Sequence, residues 1–154
     1  MKTTITLAPA TIRARVKALS ALHSLYDNSE SELLSDDNDP ALNQGIVFAF
    51  FKAVMHLSSH IESFSVSPDD FNDGPYEALL LEVTFNTPDN AAIFRPLIKT
   101  SLEDFISNRL LAESLPSCHL TTLFRTRETE ALATLSQIFD NTTTPSSLRR
   151  QRTI

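Results

Sequence analysis

His56 and His60 stand four residues apart, the interval that places two imidazoles on one face of a continuous helix, as in many zinc sites. Glu62 lies close by in the chain, and Cys118-His119 carries two further ligand types at a distance. Position 57 is leucine, so the glutamate that acts as general base in His-Glu-x-x-His proteases is missing. A structural zinc needs three or four preorganised ligands, and the spacing supplies two. Histidines at a helix end, facing the negative end of the dipole, account for the pair more simply.

An acidic cluster, Asp69, Asp70 and Asp73, falls in the stretch Pro68-Asp69-Asp70-Phe71-Asn72-Asp73-Gly74-Pro75. Phe71 breaks the alternate-oxygen spacing of a calcium loop, and turn chemistry explains the acids without a cation. A metal-dependent hydrolase built on these aspartates and the two histidines is the least supported reading. No metal or other cofactor is expected, with His56 and His60 the nearest approach to a ligand pair.

Other chemistries lack their signatures. The chain contains no Gly-x-Ser-x-Gly elbow, no Gly-x-x-x-x-Gly-Lys loop and no Cys-x-x-Cys pair. Its two glycines, Gly45 and Gly74, are too few for phosphate loops or dinucleotide fingerprints, which need bare backbone against the ligand. The single cysteine, Cys118, has no internal disulfide partner. The balance is against an enzyme, with no catalytic residue assigned.

Charge is distributed unevenly. Asp27, Glu30, Glu32, Asp36, Asp37 and Asp39 put six acids and no base into residues 27–39, and this segment accounts for the whole net charge of −6. Bases gather at Arg13, Arg15 and Lys17, and again at Arg149, Arg150 and Arg152. These six could neutralise phosphates, which gives the alternative reading, a nucleic-acid-associated subunit. No aromatic residue is interleaved with either group, so the pattern falls short of a nucleic-acid signature. The basic tail and the acidic segment are complementary to each other, which favours a protein partner or contacts between copies.

Hydrophobic periodicity supplies the elements that must carry these groups. A helix is predicted from Pro9 or Thr11 to about Tyr26, with Ile12, Val16, Leu19 and Leu22 on its apolar side. Asp39-Pro40 makes a good start for a second helix, which is predicted to end near Ser58-Ser59. Residues 61–67 and 79–85 alternate at period two and read as an antiparallel hairpin, with 3–7 as a candidate third strand. A third helix begins at Thr87-Pro88, with a break or kink expected at Pro96. A fourth covers about 120–139. The fold class is α+β, predominantly helical: four main helices with a small antiparallel hairpin. One domain is expected over residues 1–140, followed by a polar and basic tail over 141–154.

The second helix is apolar almost all round. Between Gly45 and Leu57 its one charge is Lys52. Leu42, Ile46, Phe50, Ala53, Val54, Leu57 and Ile61 make one face, and Val47, Phe51 and Met55 widen it beyond what one buried side requires. The stretch is too short to span a bilayer, and the N-terminus carries no signal-peptide pattern, so the cytoplasm is the expected compartment. Val47, Phe51 and Met55, with Arg149, Arg150 and Arg152, are therefore the expected partner-binding residues. The function that follows is a non-catalytic protein–protein interaction module, adaptor, chaperone-like or inhibitory, acting as a homo-oligomer or in a larger assembly.

Overall fold

A computed structural model describes residues 2–27, 39–68, 76–114 and 121–145. The fold is α+β and mainly helical, with four helices and a three-stranded antiparallel sheet. In chain order the elements are β1 (Lys2–Leu7), α1 (Pro9–Asp27), α2 (Asp39–His56), a 3-10 turn (Ser58–His60), β2 (Ile61–Pro68), β3 (Tyr76–Thr84), α3 (Pro88–Ser114) and α4 (Thr121–Thr142).

The sheet order is β1-β3-β2, so the predicted hairpin gains residues 2–7 on its free side. The register aligns Ile5 with Leu81 and Phe64 with Leu81, and likewise Leu7 and Val66 with Leu79. Those rungs face the helices, with Ile5, Leu7, Leu79, Leu81, Val83 and Phe85 buried. Thr4, Thr6, Ser63, Ser65 and Glu82 occupy the opposite face, the apolar-in, polar-out pattern of a sheet covered on one side.

Strict alternation cannot put both Ile61 and Phe64 on the inner face, because they are three residues apart. The register shifts between Ile61 and Ser63, leaving Glu62 as the extra residue of a bulge. The bulge changes the phase, so Ile61 opposes Val83 and Phe64 opposes Leu81.

The helices bury stripes at helical spacing: Ile12 and Val16 on α1, Ile46, Ala49, Phe50, Ala53 and Val54 on α2, Ile98, Leu102, Phe105, Ile106 and Leu110 on α3, and Phe124, Ala131, Leu135 and Phe139 on α4. α3 is the hub. It packs most extensively on α4 and also on α2, α1 and β1, whereas α2 is covered mainly by α3 and α1. Thr87 Oγ1 accepts from the Asn90 N–H at 3.1 Å and caps α3, with Pro88 in the first helical position. The expected break at Pro96 does not occur: α3 runs unbroken from Pro88 to Ser114. Its length and its contacts on both sides outweigh the loss of one backbone bond.

α2 and α3 approach closely at Gly45, where an added Cβ would come within 2.7 Å of Leu110 Cδ2. The obstructing atom is a side-chain tip that can turn away. Gly45→Ala is therefore expected to stay within about 1 kcal/mol of the wild type, since improved helix propensity offsets the displacement. Gly45→Ile should cost about 1–3 kcal/mol through overpacking. Urea denaturation of the two variants checks both values.

Candidate partner interface

Met55 and Phe48 are 71% and 61% exposed, and they lie seven residues apart on one side of α2. Phe51 sits between them, partly buried against the core. Its ring meets Phe64 of β2 edge-on, with centroids 5.7 Å apart, and Phe64 is itself 47% exposed. On the inner side Phe51 lies against Phe50 at 6.2 Å. Spacing of three and four along α2, with the Phe51–Phe64 contact, makes these four side chains one patch rather than scattered residues. Lys52 is exposed on the same helix, where its methylene stem can lie along apolar surface while the ammonium keeps its water.

This placement differs from the expected face in one respect. Val47 is only 7% exposed and belongs to the chain's own core, so no partner can reach it. Phe48, one position on and 100° around the helix, takes the outward place. The Glu62 bulge turns Phe64 to the helix side of the edge strand β2, where it meets Phe51 and stays 47% exposed.

The basic group of α1 serves internal contacts. Arg13 donates to Asn43 Oδ1 of α2 at 2.7 Å. The Arg15 guanidinium lies against the Asp104 carboxylate of α3 as an ion pair rather than an aligned hydrogen bond. Lys17 is also engaged within the chain. An open groove beside Arg15, between α1, α3 and α4, is lined by Asp104, Asn108, Arg127 and Glu130, so its charges are mixed. Arg109 of α3 reaches Glu128 of α4 at 2.9 Å and, within its own helix, Glu113 at 3.1 Å. The Arg109–Glu128 pair ties α3 to α4, as Arg13 and Arg15 tie α1 to α2 and α3.

The two histidines do not form a ligand pair. α2 ends at His56, and the chain tightens into the 3-10 turn Ser58–His60 before His60 is reached, so the four-residue interval no longer means a shared face. His56 is exposed, whereas His60 turns to the end of α4. Among the described residues, no group of three metal-ligating side chains comes together, and no helix is long and apolar enough to cross a membrane.

Arg149, Arg150 and Arg152, the aspartates of 69–73, Cys118-His119 and most of the acidic 27–39 segment lie outside the described residues. Residues 141 and 142 belong to α4, Thr143 stands opposite Phe85 in a single bridge, and the Thr144 N–H donates to the Thr84 carbonyl, so ordered contacts continue past residue 140. No family model, curated protein or solved structure matches the chain.

Proposed function

We propose that the protein is a non-catalytic interaction module that works as a homo-oligomer, with the Phe48–Phe51–Met55–Phe64 flank meeting the same flank of a second copy. The observation that carries this reading is the exposure of three large apolar side chains joined through Phe51 into one patch. Large apolar groups at spacings of three, four and seven along one helix are the anchors that helix-on-helix contacts use. A stripe of this kind is self-complementary about a two-fold axis, the commonest symmetry of soluble oligomers. Lys52 fits the rim of such a contact, since its ammonium need not be buried.

Two sequence features favour a second copy over an unrelated chain. Every copy carries both an acidic segment at 27–39 and three arginines at 149–152, so like chains bring opposite charges to each other. The nucleic-acid reading has less behind it, because Arg13 and Arg15 already have partners inside the fold.

Light scattering across a concentration series tests the proposal. A mass of twice 17.1 kDa or a higher multiple is expected. A strict monomer up to about 200 µM, a concentration at which even a weak specific dimer would form, contradicts it.

A further inference from the structure

The two edges of the sheet are not alike. β2 forms one edge, and it carries the Glu62 bulge and a further register shift between Ser67 and Pro68. Bulges and prolines of this kind keep an edge from pairing with another strand. β1 forms the other edge, and among the described residues it is paired on one side only. Its register with β3 runs from Lys2 to Leu7 without a shift. The stretch Thr3 to Leu7 contains no charge and no proline. Its outer row of N–H and C=O groups is therefore a regular template for a further strand.

A groove of about 670 Å³ runs along that edge, between β1 and the first turns of α3. Thr3, Ile5 and Thr6 line its strand side. Ile5 belongs to the face that meets the helices and Thr6 to the opposite face, so a groove that touches both follows the edge of the strand. Ala91, Ala92 and Pro96 make the helix side apolar, and Arg95 and Lys99 add two exposed cations. Among the described residues, no carboxylate lines the groove; Asp89, the acid of the first turn of α3, is not part of it.

We propose that the free edge of β1 and this cationic groove dock an extended acidic segment of a partner protein, which joins the three-stranded sheet as a fourth strand. Backbone bonds to β1 hold such a segment in place, and the side chains that face α3 select it. Arg95 and Lys99 are four residues apart, a rise of about 6 Å along the helix. Alternate side chains of an extended chain repeat about every 6.6–6.8 Å, so an acid at every second position meets both cations. The methylenes of those acids lie over the apolar floor at Ile5 and Ala91. A second copy suits this edge less well. Pairing β1 with β1 brings Arg95 and Lys99 of both copies to one seam, with no acid in either groove to offset them. Phe64 and the aromatic flank of α2 lie at the other edge of the sheet, so loss of one site leaves the other intact.

Fluorescence anisotropy on the full chain tests the proposal with a labelled peptide of the length of β1 that alternates valine and glutamate. Two control peptides carry lysine in place of glutamate, or proline in place of a central valine. The glutamate peptide should bind saturably. Both controls should bind at least about 10-fold more weakly, because one loses the charge match and the other the backbone pairing. The double variant Arg95→Glu with Lys99→Glu, at two exposed helix positions, should melt like the wild type and lose about 10-fold or more in affinity for the glutamate peptide. Amide hydrogen exchange should show new protection along β1 when that peptide is bound. No binding of the glutamate peptide at about 1 mM overturns the proposal. So does equal affinity for the proline peptide, or a double variant that binds as tightly as the wild type. Protection of β1 amides that rises with protein concentration in the absence of peptide would place a second copy on this edge, and overturns it as well.

Discussion

Phe50→Ala is expected to lower the free energy of unfolding by about 3–5 kcal/mol, the range for a large aromatic side chain removed from a packed core. Phe50 is among the largest fully buried side chains and occupies the middle of α2, with Ile46, Ala49, Ala53 and Val54 buried around it. Its ring also backs Phe51, so the loss would loosen the support of the exposed patch. Domains of this size are stable by about 5–15 kcal/mol, so the variant should be near its unfolding threshold at ambient temperature. Urea denaturation followed by circular dichroism measures the difference. A loss below about 1 kcal/mol would mean that α2 is not seated in the core as described.

Phe48→Asp should do the reverse, although the two positions are only two residues apart. The side chain is 61% exposed, so replacing it leaves no cavity, and stability should change by less than about 1 kcal/mol. Association should suffer instead. Burying the exposed part of a phenylalanine contributes about 1–2 kcal/mol, and a two-fold contact contains the residue twice, so the dissociation constant should rise by about 30–1000-fold. A carboxylate facing apolar surface adds a desolvation cost in the same direction. Sedimentation equilibrium beside a thermal melt separates the two effects. An unchanged melt with unchanged association would remove Phe48 from the interface, and a collapsed melt would place it in the core.

The contrast between Phe48 and Phe50 shows what hydrophobic pattern alone can and cannot convey. The pattern located α2, including its start at Asp39, and the alternation at 79–85 located β3. It could not say which side of an all-apolar helix is covered, because that depends on where α3 and α1 lie. Hence the pattern alone points Val47 outward, although Val47 is buried and Phe48 is the exposed residue. The four-residue spacing of His56 and His60 carried meaning only on an unbroken helix, and the helix ends between them. A local rule sets a break at Pro96 because it weighs one lost bond, whereas α3 is held along its length by three other helices and β1. The bonds of Thr142, Thr143 and Thr144 to the end of β3 join residues more than fifty positions apart, and nothing in a threonine run announces them.

The central claim is that the aromatic flank of α2 meets its own image in a second copy. The most direct measurement is an intermolecular nuclear Overhauser experiment on a mixture of isotopically labelled and unlabelled protein, observing the Met55 methyl group. The account predicts cross-peaks between the Met55 methyl of one copy and the aromatic protons of Phe48 or Phe51 of the other. An oligomer whose intermolecular cross-peaks arise elsewhere, with none from Met55, would contradict it.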